Sequence, residues 1–175
     1  AMQTHILLKR MLDLSVNGGF VHWVKDFLCE RPQRVFMNGT WSNELILNTG
    51  APQGCVLSPL LFSIYTDEMK VDSALVSLFK YADDMALVGL LVKERQLCED
   101  VYFGHVLALQ DWCNSSSLFI NVGKTKELVV DFSDDTSHTL TPILLNNEIV
   151  EVVDCFKYLG THIDNKLSYM QNTDS

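Results

Sequence analysis

No apolar run in this chain reaches the roughly 18 residues that a membrane-spanning helix needs. The opening AMQTHILLKR also lacks the layout of a secretory signal. Cysteine is sparse and scattered: Cys29, Cys55, Cys98, Cys113 and Cys155 are odd in number and form no C-x-x-C pair. That argues against a structural zinc site and for reduced thiols, hence for an intracellular protein of cytoplasm or nucleus, not secreted and without membrane contact. Cations are scarce as well. Lys and Arg number 13 against 22 Asp and Glu, for a formal net charge of −9. Surfaces built mainly to hold nucleic acid usually carry a basic excess, so this balance counts against one. There is no internal repeat, no linker and no regular strand–helix–strand alternation.

What is present is enough for a real core, since 47% of the 175 residues are hydrophobic. HILLKRMLDLSV and FVHWVKDFLCE carry apolar residues at helical spacing, with NGG breaking the pattern between them. QRVFMNGTWSNELILNTG reads as two short strands around the turn signal Asn38-Gly39. SPLLFSIYTDEMK reads as a buried helix capped by Ser58, with Pro59 in its first turn. A long helix follows from about residue 93, despite Gly104. LFINVGKTKELVVDF reads as a turn and a strand, residues 133–141 as a loop, and PILLNNEIV and CFKYLGTHID as strands. The mixture predicts an α+β fold, one domain over 1–168 with a frayed tail at 169–175.

One stretch resists that plain account. In FKYADDMALVG, Asp83 and Asp84 stand side by side between apolar, strand-like runs. Asp134-Asp135 lies among polar residues and needs no explanation. Neighbouring side chains in a strand point to opposite faces, but a tight turn breaks that alternation and lets both carboxylates reach one region. Like charges held close repel, and a divalent cation such as Mg²⁺ relieves the conflict. The plain alternative is a solvated turn, because Asp is a common turn residue. The apolar flanks predict strands near 78–82 and 85–90, central in a sheet.

A second stretch, GAPQGCVLSPLLFSIY, begins at Gly50. Gly50 and Gly54 permit positive φ and close approach of another molecule to the backbone. Gln53 offers an amide that both donates and accepts. An ordinary loop before a helix would look the same if it stood alone. Two other patterns carry nothing. VGKT at 122–125 lacks the earlier glycine of a phosphate-binding loop, since position 118 is Leu118, and the five histidines show no metal-ligand spacing.

Taken together, PQGCVLSPLLFSIY followed by YADD resembles the palm of reverse transcriptases of non-LTR (LINE-type) retrotransposons. LFINVGKTKE and FKYLGTHID are similar to the next two motifs of that family, in the same order, and the likeness spans nearly the whole chain. It implies a polymerase palm: an antiparallel sheet with helices on one face, without fingers or thumb. It implies that Asp83 and Asp84 are catalytic and bind Mg²⁺ or Mn²⁺. It places Gln53 and Gly54 against the incoming nucleotide, on the same side of the palm as the aspartates. Lys124 falls near the leaving phosphates, with Lys126 second. Tyr81, Phe156, Tyr158, Leu159 and Gly160 support the primer end. The implied partners are an RNA template, a DNA primer and deoxynucleoside triphosphates.

The family pattern F-D-x-x-x-x-H would put a further metal-binding aspartate immediately before Ala1. Two carboxylates alone imply weak or absent metal binding and an inactive isolated chain. A non-catalytic retrotransposon remnant or domesticated interaction module is the competing expectation, favoured by the acidic charge. A small-molecule enzyme has no support beyond the carboxylate pair.

Overall fold

The computed structural model describes residues 1–92, 95–132 and 140–168. The expected 169–175 tail and the Asp134-Asp135 loop lie outside them. The chain forms two compact units, Ala1–Phe119 and Ile120–Ser175.

The first unit is built on three amphipathic helices. α1 (Thr4–Asp13) buries Leu7 and Met11, α2 (Gly18–Leu28) buries Val21, Val24 and Leu28, and α3 (Leu57–Tyr65) buries Leu61 and Tyr65. These are i, i+3, i+4 and i+7 spacings, so each helix turns one apolar stripe inward. Together with Met2 they form the core. Each fully buried Leu contributes about 1.5–3 kcal/mol relative to exposure. The glycines at 18 and 19 do not merely separate the first two helices. Asn17 caps α2, its side-chain oxygen accepting from the Gly19 N–H at 2.9 Å, and the pair forms the first turn.

Ser58 corrects the sequence expectation. It lies inside α3 and is not its cap, because Val56 holds the N-cap position without a side-chain hydrogen bond. The Ser58 hydroxyl instead donates back to the Pro52 carbonyl at 2.6 Å. The long helix α4 (Arg95–Ser115) forms as expected and runs through Gly104.

Among the described residues the strands form two-stranded pairs and no broad sheet. β1 (Arg31–Gln33) pairs with β4 (Leu45–Leu47) and encloses β2 (Phe36–Met37) and β3 (Thr40–Trp41). Asn38 and Gly39 both take positive φ at the turn between the inner pair, as the sequence signal requires. β5 (Val76–Tyr81) and β6 (Asp84–Gly89) form the longest hairpin.

In the second unit, β7 (Lys126–Glu127) pairs in parallel with β10 (Glu151–Val152). β8 (Leu144–Leu145) pairs with β9 (Glu148–Ile149), and β11 (Cys155–Tyr158) with β12 (Thr161–Asp164). The strand expected in LFINVGKTKELVVDF shrinks to the two residues of β7. Most of these strands are two to four residues long, short enough to be closed by their own turns and to leave wider pairing unfilled. The fold is α+β, and among the described residues small two-stranded pairs, antiparallel except for β7–β10, stand in place of the single sheet expected. No helix among the described residues is long and apolar enough to cross a membrane, and the five cysteines are free thiols.

The Tyr65 side chain is fully buried and joins three segments. Its hydroxyl accepts from the Gln3 N–H at 3.3 Å and donates to the Ser116 carbonyl just beyond α4. Burial raises the phenol above its ordinary value of 10.0, against smaller lowering effects of the Gln3 hydrogen bond and the Arg10 charge. A raised phenol stabilises the fold fully below the unfolded value, and that contribution is lost as pH rises through the folded one. Tyr65→Phe is expected to cost about 1–3 kcal/mol in urea unfolding at neutral pH, because it orphans a buried carbonyl and amide. The same variant should flatten the loss of stability expected of the parent chain as pH rises above the ordinary phenol value of 10.0.

Candidate active site

The hairpin of β5 and β6 places the aspartates where the sequence put them. Val76 pairs with Gly89, and the register runs through Lys80↔Met85 to Tyr81↔Asp84, so Ala82 and Asp83 are the two turn residues. Both carboxylates are exposed, and neither has a hydrogen-bond or ion-pair partner among the described residues. The strands are not central in a sheet, which corrects the expectation, since among the described residues they pair only with each other. Their apolar character is explained by two unlike faces. Val76, Leu78, Lys80, Met85, Leu87 and Gly89 share one, and Phe79, Tyr81, Asp84, Ala86 and Val88 share the other.

The first face is the packed one. Val76 is buried, and Gly89 lies so close to α4 that a Cβ there would stand 2.5 Å from Cδ2 of Tyr102. The second face is open: Phe79, Tyr81 and Val88 are all more than half exposed. Asp84 therefore projects beside Tyr81 onto an uncovered apolar face, with Asp83 at its tip. The turn is also strained. Ala82 takes a φ of 51°, a left-handed backbone that costs a residue with a Cβ about 1–2 kcal/mol. Strain of this kind persists where the surrounding structure over-determines the turn.

The Gly50–Gly54 loop is held at its base. The Gly50 N–H donates to the Met2 carbonyl at 2.8 Å, and the Arg31 guanidinium donates to the carbonyls of Thr49 and Gly50 at 2.7 and 3.0 Å. Beyond that base the loop is open. Gly50 and Gly54 have φ of +70° and +73°, and a Cβ on either would meet no atom within 4 Å. Gln53 is exposed and its amide has no partner among the described residues. The loop enters α3 at one end, and the hairpin is tied to the other. The Lys80 ammonium donates to the carbonyls of Thr66 at 2.7 Å and Met69 at 3.1 Å. Sequence reading missed both Arg31 and Lys80, because nothing in one dimension distinguishes a cation that closes backbone carbonyls from a solvated one.

The remaining predicted residues lie in the second unit. Lys126 is engaged, donating to Glu151 at 2.5 Å and to the Gly123 carbonyl at 3.0 Å. Lys124 is exposed, and its ammonium has no partner among the described residues. Burial pushes the neighbouring Glu127 carboxyl above the usual carboxylate range. In the β11–β12 hairpin Phe156 and Tyr158 share a face with Ile163 and Thr161, and Leu159 and Gly160 form its turn with φ of 48° and 87°. Cys155, Lys157, His162 and Asp164 share the opposite face, with Cys155 Sγ 3.9 Å from His162 Nδ1.

No group of three or more His, Cys, Asp or Glu among the described residues could hold a metal. The pair at 83 and 84 nonetheless fits part of a shell for a hard divalent cation. It offers adjacent carboxylates, uncompensated by any cation of the described residues and open on one side.

Residues 2–163 match the family model described as reverse transcriptase (RNA-dependent DNA polymerase). The chain is 30% identical over 160 residues, 85% of its length, to the RNA-directed DNA polymerase from mobile element jockey of Drosophila melanogaster. It is 29% identical over 161 residues, 87% of its length, to the polymerase of that name from Drosophila funebris. To the probable RNA-directed DNA polymerase from transposon BS of Drosophila melanogaster it is 29% identical over 157 residues, 83% of its length. The chain spans about 17% of the length of each of these relatives.

Two substitutions probe the hairpin. Ala82→Gly should raise unfolding stability by about 0.5–1 kcal/mol, the relief of left-handed strain exceeding the entropy of glycine. Gly89→Ala should lower it by about 1–3 kcal/mol through overpacking against the Tyr102 ring. Tyr102→Ala in the same chain should make the Gly89→Ala change nearly neutral, a coupling that a double-mutant cycle measures directly.

Proposed function

Because this chain belongs to the reverse transcriptase (RNA-dependent DNA polymerase) family, we propose that it is the palm portion of a retrotransposon polymerase and carries part of a nucleotidyl-transfer site. The observation that carries this is the unpartnered carboxylate pair at a strained turn, on the open face of a hairpin, in a chain matched to the family over residues 2–163. Asp83 and Asp84 would hold Mg²⁺ or Mn²⁺. When bound, such an ion neutralises charge on the phosphates and polarises the reacting oxygens. The chain's own groups do the positioning. The Gly50–Gly54 loop admits the nucleotide to its backbone, and Gln53 binds it through its amide. Tyr81, beside Asp84, offers a stacking surface for the primer end. Lys124 supplies a mobile cation for the leaving phosphates, while Phe156, Tyr158, Leu159 and Gly160 form the hairpin that steadies the primer. The substrates are an RNA template, a DNA primer and deoxynucleoside triphosphates.

Catalysis of phosphoryl transfer is mostly positioning and electrostatic stabilisation, so a carboxylate pair without a third oxygen ligand should not suffice. The 175-residue chain is expected to give no primer extension on an RNA template with Mg²⁺ or Mn²⁺. Residues 2–163 placed into the matching span of the jockey polymerase should give extension that Asp83→Asn or Asp84→Asn abolishes. Lys124→Ala in that chimera should slow nucleotide incorporation without abolishing it. Extension indifferent to Asp83→Asn would refute the assignment. A folded but silent chimera would favour a non-catalytic remnant.

A further inference from the structure

The two halves of the proposed site are not in direct contact through any hydrogen bond of the described residues. They are joined through α3. At its start, the Ser58 hydroxyl fastens the loop by donating to the Pro52 carbonyl at 2.6 Å. At its end, the backbone turns through Thr66, the C-cap residue, to Met69. Lys80 reaches that end from the hairpin, three residues before Asp83. Its ammonium takes the Thr66 carbonyl at 2.7 Å and the Met69 carbonyl at 3.1 Å. A cation at a helix C-terminus meets both orphan carbonyls and the negative end of the dipole.

The register partner of Lys80 is Met85, so it projects to the packed face while Tyr81 and Asp84 project to the open one. The residue as a whole is exposed, yet its ammonium is part-buried among carbonyls. Burial of that group pulls it below the ordinary lysine value, with Asp67 pushing it up and Lys70 down. Asp67 itself meets Lys70 at 3.5 Å. At the other end of the same face, Gly89 against Tyr102 fixes the far end of the strands to α4. The turn end has only Lys80 among the described hydrogen bonds between the hairpin and the α3 segment.

We infer that Lys80 is a positioning residue: it locks the Asp83-Asp84 turn to the end of α3 and so sets its place relative to the Gln53 loop at the other end. It touches neither metal nor nucleotide. The inference rests on the function proposed for the two half-sites.

The test uses the 175-residue chain and Mn²⁺ as the probe, read by paramagnetic broadening of backbone amide signals. In the parent chain Mn²⁺ should broaden the amides of 82–85 strongly and those of 50–54 more weakly, and Asp83→Asn should remove both. In Lys80→Met the broadening at 82–85 should persist while that at 50–54 is lost, and amide exchange at 82–85 should accelerate. Exchange at Leu7 and Val24 should keep parent values, which separates lost positioning from lost folding. Lys80→Arg, which keeps a donor, should restore the broadening at 50–54. Unchanged broadening at 50–54 in Lys80→Met would overturn the inference.

Two further measurements keep the outcomes distinct. Absence of broadening at 82–85 in the parent chain would count against the metal site, not against Lys80. In that case the metal-free exchange at 82–85 decides, and identical rates in the parent and Lys80→Met chains would overturn the inference. Should Lys80→Met fail to fold, the exchange of the Lys80 ammonium protons in the parent chain decides. Protection relative to Lys25 and Lys124 supports the lock, and exchange as fast as theirs refutes it.

Discussion

One buried hydroxyl organises the first unit. Tyr65 brings the Gln3 amide, the end of α3 and the Ser116 carbonyl after α4 to a single point that water does not reach. The two half-sites proposed in the first unit hang from the helices it joins. The Gly50–Gly54 loop leads into α3 and is backed by the segment that begins at Met2. The β5–β6 hairpin lies on α4 through Gly89 and Tyr102. A hydrogen bond contributes only about 1 kcal/mol net, but leaving its partners unmade in a dry interior costs more. Tyr65 therefore matters less for what it adds than for what its loss would strand.

The hairpin shows how far a sequence can be read and where it stops. Two aspartates between apolar runs are legible as a turn, because no regular strand buries two adjacent carboxylates. Asn38-Gly39 and Asn146-Asn147 are legible for a related reason: a two-residue hairpin turn needs left-handed backbone, and each pair supplies it, whereas Leu159-Gly160, inside a run read as a strand, takes that backbone without such a signal. Sheet order was not legible. An apolar strand reads the same whether a neighbouring strand covers its outer face or nothing does, so the sequence predicts a central position for strands that, among the described residues, pair only with each other. The role of Ser58 was missed because a helix-capping serine and one that pins the preceding loop share the same local sequence. Lys80 and Arg31 were missed because their partners are backbone carbonyls, which every sequence has everywhere.

Charge deserves the same treatment. A net −9 looks hostile to a polyanion, and the structure makes the local balance harsher. Arg31 and Lys80 are spent on carbonyls, Arg34 on Glu44, Arg10 on Glu68 and Lys126 on Glu151. These cations hold the chain's own backbone and carboxylates in place and leave little long-range attraction for phosphates. Lys124 is an exception, exposed on a turn closed by the Asn121 carbonyl. For the nucleic acid proposed as ligand, counter-charge would have to come largely from bound cations and not from these side chains.

The turn at 82–85 gathers these constraints into one place. Ala82 is held in a backbone it does not favour, two carboxylates sit adjacent without a cation, and Phe79, Tyr81 and Val88 stand uncovered beside them. Each feature taken alone destabilises the chain. They are tolerated because the opposite face is fixed at both ends, by Gly89 on Tyr102 and by Lys80 on the α3 terminus. A sequence optimised only for folding would put glycine at 82, a neutral residue at 83 or 84, and polar residues on the open face. Local rules are broken together here and obeyed at the other hairpin turns whose residues are Asn-Gly or Asn-Asn. That concentration of cost on one rigidly backed surface is what the proposed function would require: a cation and a nucleic-acid end would relieve the repulsion and cover the apolar face, while the scaffold already holds the turn in shape.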